Sequence, residues 1–313
     1  MCFNIFVMMF KNILYLFIFF SGFNLTIQSQ YNMDIGFSFG ASGYLGDIGG
    51  LESTAQKFLG DLTINQSTPY AGVFLRRKIN SRISFNTGLN YIRVSGDDAK
   101  TLEGPRNWRN LRFQNNIFEL TAKGEFTLIQ ISDLGGKGRY NTHLDLFAHM
   151  GFTIFTHSPK GSKNGYSWTK LRPLKTEGFA YKKICFGSPI GGGVIITHNR
   201  YTRFGLVLNY TQTFTDYLDD VSNVFIDPAE LSSEAVELAN QFNGPEENSI
   251  YFSSGQPRGN PSNFDVYMNL SFTYSRYFTG RNRYMRSNSW RSRSYYKPKS
   301  FQKAKSRHIR SKF

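Results

Sequence analysis

Residues 118–128 read Phe-Glu-Leu-Thr-Ala-Lys-Gly-Glu-Phe-Thr-Leu, and this stretch carries the strongest information about the fold. Every second residue is apolar or small, and the positions between them include Glu119, Lys123 and Glu125. Alternation with a period of two predicts a β-strand with one apolar and one polar face. A soluble sandwich would bury the apolar face and leave the charges in water. A membrane barrel instead turns the apolar face to hydrocarbon and the charges to its interior.

The same alternation recurs in seven further segments. They cover residues 33–42, 69–78, 83–91, 143–154, 184–196, 204–211 and 264–274. Hydrocarbon cannot hydrogen-bond the free edge of a sheet, so a sheet in a membrane has to close on itself. The sequence therefore predicts an all-β fold, an eight-stranded antiparallel transmembrane β-barrel with long outer loops and a basic C-terminal tail. A soluble lipocalin-like barrel or sandwich stays open as the alternative.

The connections between these segments alternate in length. The long ones are residues 46–67, 96–110, 157–183 and 218–263, and the shorter ones are 79–81, 129–141 and 198–201. Long outer loops and short periplasmic turns are typical of the cell outer membrane, and an even number of strands places the N- and C-termini in the periplasm. Side chains fill the interior of an eight-stranded barrel, so the sequence does not predict a general pore.

The chain has 313 residues and a formal net charge of +15, and much of this charge lies at one end. Residues 281–313 contain no acid. Their basic residues are Arg281, Arg283, Arg286, Arg291, Arg293, Lys297, Lys299, Lys303, Lys305, Arg307, Arg310 and Lys312. A block of like charge is typical of a solvated interaction arm. We expect a flexible periplasmic tail whose Arg and Lys bind a partner. Basic and aromatic residues mixed in this way can also bind single-stranded nucleic acid, but the predicted export argues against nucleic acid.

The first 29 residues are typical of a signal peptide. Lys11 precedes an apolar run at 13–20, and small residues before Gln30 offer a cleavage site. A retained anchor is the alternative. Cleavage would remove Cys2 and leave Cys185 without a disulfide partner. The predicted domains are therefore 1–29 as signal peptide, 30–280 as barrel and 281–313 as tail.

Two groups of polar residues fall on the inward faces of neighbouring predicted strands. They are His143, Asp145 and His149 on one strand and Glu119, Lys123 and Glu125 on the other. Such residues could form an acid–base or metal site, as in an outer-membrane hydrolase. The favoured interpretation is an interior network of paired charges, because buried charges need partners. No serine lies in a nucleophile-elbow sequence. We therefore predict a protein that is not an enzyme and needs no cofactor.

The start of the longest loop is rich in aspartate. Asp216, Asp219 and Asp220 form a weak calcium candidate, because loop carboxylates suit that ion. Their spacing does not match an EF-hand, and turn formation by aspartate is the alternative explanation. Residues 228–242 have helical spacing of apolar residues, and Pro228 fits a helix start. A short helix over the barrel mouth is expected.

Four segments together carry a resemblance to a known family. They are 40–47 (Gly-Ala-Ser-Gly-Tyr-Leu-Gly-Asp), 113–120 (Phe-Gln-Asn-Asn-Ile-Phe-Glu-Leu), 214–222 (Phe-Thr-Asp-Tyr-Leu-Asp-Asp-Val-Ser) and 258–265 (Arg-Gly-Asn-Pro-Ser-Asn-Phe-Asp). The chain resembles the PorG-type outer-membrane barrel of the type IX secretion system of Bacteroidota over about residues 31–278. The resemblance implies a role in protein export and gliding motility. It also implies docking on the periplasmic ring of the lipoprotein PorK and of PorN.

The sequence thus predicts a non-enzymatic barrel that acts as an accessory or anchoring component of type IX protein secretion. Its expected partners are PorK and PorN of the periplasmic ring, together with membrane lipids. Two alternatives stay open. One is an outer-membrane enzyme that modifies lipids, and the other is a small OmpX-like barrel with a structural or adhesive role.

Overall fold

The computed structural model describes residues 32–49, 66–102, 104–132, 142–198 and 201–279, and strands dominate these ranges. The strands are β1 (Asn32–Leu45), β2 (Thr68–Lys78), β3 (Ile83–Asp97), β4 (Arg112–Ser132), β5 (His143–Thr156), β6 (Pro159–Gly161), β7 (Thr169–Lys170), β8 (Ile184–His198), β9 (Thr202–Thr213) and β10 (Val266–Thr279). Two short α-helices occur in this part of the chain, α1 (Pro105–Arg109) and α2 (Ser233–Ala239).

The eight long strands form a closed antiparallel barrel. Their order around the barrel is β1-β2-β3-β4-β5-β8-β9-β10, with β3 paired to β4 and β10 beside β1. At the closing seam the rings of Phe37 and Tyr274 are 5.2 Å apart, and those of Phe39 and Phe272 are 5.3 Å apart. The predicted eight-stranded antiparallel barrel is confirmed.

Side chains alternate between the outside of the barrel and its interior, as the sequence pattern requires. On β5, Met150, Phe152 and Ile154 are 66%, 73% and 46% exposed, whereas His149 and Thr153 on the opposite face of the strand are buried. The same alternation on the other long strands produces an apolar outer surface and a largely polar interior, which also contains an apolar cluster of Phe147, Ile195 and Val207. A β-bulge between Thr127 and Ile129 shifts the register of β4 against β5.

The two ends of the barrel differ in structure. At one end, which we call the turn end, β2–β3, β4–β5 and β8–β9 are joined by short connections at 79–82, 133–142 and 199–201. At the other end the described parts of the long connections carry β6, β7, both helices and the four 3₁₀ turns at 98–100, 172–174, 228–230 and 246–252. We call the described residues of these connections (46–49, 66–67, 98–102, 104–111, 157–183 and 214–265) the cap.

Two predicted boundaries were wrong. Strand β4 continues to Ser132 because the bulge keeps it paired with β5, so the predicted connection 129–141 begins too early. The helix predicted over 228–242 is shorter and spans only Ser233–Ala239. The hydroxyl of Ser232 accepts a hydrogen bond from the amide of Ala235 and caps this helix, while Pro228 begins a separate 3₁₀ turn.

No helix in the described ranges is long and apolar enough to cross a membrane.

Candidate functional site: the barrel interior and the cap

A buried ion pair crosses the middle of the barrel. Arg76 on β2 donates from Nε to Oε2 of Glu125 at 2.6 Å and from Nη2 to Oε1 at 3.0 Å. Asn86 on β3 donates to the same Oε1 at 2.7 Å. A two-pronged guanidinium–carboxylate contact is the strongest form of charge pairing that side chains make. It joins strands that are not neighbours in the sheet and therefore occupies the lumen.

A second charged group lies nearer the turn end. Asp34 on β1 is hydrogen-bonded to Arg203 on β9, and Nη1 of Arg76 lies 3.9 Å from its Oδ2. The guanidinium of Arg76 also lies over the ring of Phe147, 5.7 Å from its centroid. The ion pairs therefore continue from the centre of the lumen towards the turn end.

Towards the cap the lumen is filled by uncharged hydrogen-bond partners. Lys123 donates to Oδ1 of Asn209 at 3.2 Å, and Asn209 donates to Asn269 at 2.7 Å. The hydroxyl of Tyr267 donates to Oε1 of Glu119 at 2.9 Å. Each acid and base of β4 thus has a partner on another strand, which offsets the free-energy penalty of burying its charge.

The sequence-predicted polar groups both face the lumen, but they do not pair as the sequence suggested. Glu125 is the register partner of His149, yet its ion pair is with Arg76. His143 and Asp145 lie further towards the turn end. The two cavities between these side chains have volumes of about 20 Å³ each. A volume of this size is sufficient for one water molecule and not for a lipid substrate.

The cap closes the other end of the lumen with an apolar core. Leu218 and Val221, from the longest connection, are fully buried against residues of the barrel rim. Those residues include the rings of Tyr44 and Phe113, whose centroids are 4.7 Å apart. The amide of Asn115 donates to the carbonyl oxygen of Leu218 at 2.7 Å and holds this segment over the mouth.

Buried carboxylates fix the backbone of the cap. Asp265 is hydrogen-bonded to the hydroxyl of Tyr44 and accepts from the amide of Leu218 at 2.9 Å. Asp219 accepts from the amides of Ile48 at 3.1 Å and Val221 at 2.9 Å. These bonds satisfy amides that would otherwise be buried without partners. Desolvation by burial raises the pKa of both carboxyl groups well above the ordinary range.

Two buried arginines tie the connections of the cap together. Arg258 donates from Nη1 to Oε1 of Glu177 at 3.0 Å and to the carbonyl oxygen of Asp220 at 2.5 Å. Arg109 on α1 donates to Asp98 at 2.8 Å and to the carbonyl oxygen of Asp47 at 2.6 Å. It also reaches the carbonyl oxygen of Arg258 at 2.8 Å. All four long connections thus meet at these two guanidinium groups.

The four segments that carry the family resemblance converge in this cap. Tyr44 of the first segment is bonded to Asp265 of the fourth, and Asn115 of the second is bonded to Leu218 of the third. The amide of Asn260 donates to Asp47 at 2.8 Å and joins the first segment to the fourth again. The resemblance is therefore concentrated in residues that seal the barrel mouth.

Two of the three calcium candidate residues, Asp219 and Asp220, have separate hydrogen-bond partners in the cap. Asp220 accepts from Thr176 and from the hydroxyl of Tyr181, the latter at 2.7 Å. Desolvation by burial raises the pKa of Asp216 to about 7 and that of Asp220 to about 6. Asp219 holds backbone amides, as described above. In the described part of the chain no three His, Cys, Asp or Glu side chains are placed to hold a metal ion, and the calcium prediction gains no support.

Sequence reasoning missed the central charged residues of the lumen and of the cap, namely Arg76 in the lumen and Glu177 and Arg258 in the cap. Arg76 lies on the polar face of β2, but it is followed by Arg77 and Lys78, and this basic run gives no sign that one member is buried. Glu177 could have been noticed as the single acid among the basic residues of 157–183. Its partner Arg258 lies 81 positions away, and no local pattern connects the two.

The predicted signal peptide, residues 1–29, and the predicted partner-binding tail, residues 281–313, lie outside the described residues. The assignment of partner binding to the tail stays a prediction.

Comparisons with known proteins identify similarity at two levels. A family model described as a domain of unknown function, DUF6089, matches residues 10–164. No curated protein matches the chain. Two solved structures of Ail, the attachment invasion locus protein of Yersinia pestis, are similar, one of them in complex with the heparin analogue sucrose octasulfate. Each shares 8% sequence identity with this protein, and the match covers 79% of this chain and 97% of the Ail chain. The TM-scores are 0.33 and 0.29. At these scores the likeness carries no argument about function, and the barrel rests on this chain's own strand pairing.

Proposed function

We propose that this protein is a non-enzymatic outer-membrane barrel that anchors a protein contact at the membrane. The observation that carries the proposal is the apolar outer face of a closed sheet. On β5 this face runs from Leu144 to Ile154, ten residues apart, which is roughly 33 Å along the strand. At a strand tilt of about 40° this length spans about 25 Å, the height of the apolar band of outer-membrane barrels.

The closed lumen supports an anchoring role over a conducting one. The Arg76–Glu125 pair fills the middle of the barrel, and Leu218 and Val221 fill its mouth. The cavities beside the lumen charges hold about one water each. The described interior therefore has no room for an enzymatic site that acts on lipids. Function is then expected at the ends of the barrel and in the chain beyond it.

Within this role we propose an accessory function in type IX protein secretion and gliding. The resemblance of segments 40–47, 113–120, 214–222 and 258–265 to PorG-type barrels supports it. In this proposal the turn end faces the periplasm, where both termini lie. The twelve Arg and Lys of residues 281–313 then attract acidic surfaces of PorK and PorN, because complementary charge speeds and orients association.

Affinity purification from solubilised outer membranes tests the proposal. The full chain and a variant that lacks residues 281–313 are purified in detergent, and the proteins that accompany each are identified. We expect PorK and PorN with the full chain and their loss with the truncated variant. In a further variant the twelve basic residues of the tail are replaced by glutamine, which removes the charge of the tail and keeps its length. Co-purification and secretion that persist without the tail would refute the tail assignment. A full chain that brings no ring protein would leave the OmpX-like structural barrel as the better description.

A further inference from the structure

We propose that a basic cleft beside the cap-end halves of β3 and β4 binds the phosphorylated sugar headgroup of an anionic glycolipid in the surrounding leaflet. The inference rests on the membrane placement proposed above and goes beyond the anchoring role. The cleft has a volume of about 280 Å³, near the lower limit of ligand sites. It opens next to the apolar outer face, so a lipid could place its headgroup there and leave its acyl chains against the barrel.

The outward face of β3 and β4 changes from apolar to cationic along the barrel axis. Leu89 and Leu120 are register partners and are 60% and 52% exposed. Two residues nearer the cap, the rings of Tyr91 and Phe118 are 5.4 Å apart. The next outward residue of β3 is Arg93, at about 7 Å beyond Tyr91 along the strand. Aromatic residues mark the interface of membrane barrels, so the cationic residues lie at the level of lipid headgroups.

Three basic side chains line the cleft with one acid. They are Arg93, Lys100 and Arg112, and the acid is Asp97. Asp97 accepts from Nε of Arg112 at 3.0 Å, so one positive charge is already neutralised. Arg93 is hydrogen-bonded to the uncharged Gln114. The described lining therefore keeps a net charge of two, and the ring of Trp168 adds an aromatic wall on which a sugar can stack.

A pair of lysines extends the positive surface beside the cleft. Lys160 on β6 is the register partner of Gln114 on β4 and of Lys170 on β7. Residues directly opposite on antiparallel strands have Cβ atoms about 4.5–5.5 Å apart, and like charges in such positions destabilise the pair. The two acids of α2 have other partners, because Glu234 accepts from Thr169 at 3.3 Å. Glu237 lies 3.7 Å from Lys163. A phosphate between the two lysines would turn their repulsion into attraction.

Native mass spectrometry of the full chain in detergent tests the proposal. The probes are bisphosphorylated lipid A, the same lipid after removal of its phosphates, and inorganic pyrophosphate. We expect binding of the phosphorylated lipid and about tenfold weaker binding of the dephosphorylated one, because charge-assisted hydrogen bonds to phosphate are lost. The wild-type comparison requires no variant to fold. Equal binding of the two lipids would overturn the proposal. Pyrophosphate that binds as tightly as the phosphorylated lipid would overturn the assignment to a lipid.

Matched charge-removing variants locate the site. R93Q/K100Q in the cleft and K160Q/K170Q beside it are each expected to weaken binding of the phosphorylated lipid about tenfold. The control R82Q/R276Q removes two exposed charges at the turn end. Heat-modifiable migration on gels shows which variants have folded. Equal losses in control and test variants would overturn the location. A wild-type protein that requires detergent but ignores the lipid phosphates would refute this inference and leave the membrane barrel intact.

Discussion

The ion pair in the lumen allows the sharpest prediction about stability. Arg76→Met removes the guanidinium that contacts both carboxylate oxygens of Glu125, at 2.6 and 3.0 Å, with both side chains almost fully buried. At an effective dielectric constant of about 20, charges about 3 Å apart attract each other by roughly 6 kcal/mol before the desolvation penalty is subtracted. Removal of one partner from a buried pair typically destabilises by about 3–5 kcal/mol, because the other charge stays buried without compensation. We expect Arg76→Met to lower the free energy of unfolding by an amount in that range.

A second substitution separates charge from packing. Glu125→Gln in the Arg76→Met background removes the uncompensated charge and keeps an oxygen that can accept from Asn86. We expect the double variant to recover about 1–3 kcal/mol relative to Arg76→Met.

Urea unfolding in lipid vesicles, followed by tryptophan fluorescence, measures these free energies. Trp108 and Trp168 in the cap provide the signal. Arg82→Met, an exposed change in a turn, is the matched control and should stay within about 0.5 kcal/mol of the wild type. If Arg76→Met were no more destabilised than the control, or if the second substitution made it worse, the reasoning about a compensated charge in the lumen would be refuted.

Three further predictions concern closure and the cap. Gly40→Ala places a Cβ atom against the backbone carbonyl oxygen of Leu270 on β10 and should reduce the yield of heat-modifiable barrel. Gly124→Ala should not, because its Cβ atom would lie 3.9 Å from the carbonyl oxygen of Met150. Arg258→Met should lower the stability of the cap by about 3–5 kcal/mol and make it sensitive to protease while the barrel stays folded. Mapping the cleavage sites shows whether they fall in the cap. Burial raises the pKa of Asp216 to about 7. Between about pH 4 and pH 7 the folded cap therefore keeps a proton that the unfolded chain has already released. Cap stability, measured by hydrogen exchange, should fall as pH rises through this range, and Asp216→Asn should make this fall smaller by removing one of the carboxyl groups whose pKa is raised.

The predicted strands were accurate where the period of two is long and regular. In residues 118–128 every position on the apolar side is outward, because a strand's side chains can only alternate. Boundaries were less accurate. The β-bulge after Thr127 and the cap of α2 at Ser232 depend on which strand or loop lies alongside, and the alternation does not contain that information.

Local pattern thus determined the class of the fold, the number of strands and the direction in which most side chains point, since these follow from alternation and from the need to close a sheet. Tertiary structure decided which charges meet. Arg76 and Glu125 lie 49 positions apart, and Tyr44 and Asp265 lie 221 apart. Barrel closure brings them together, because the register of all eight strands has to be set before any residue acquires a partner across the lumen.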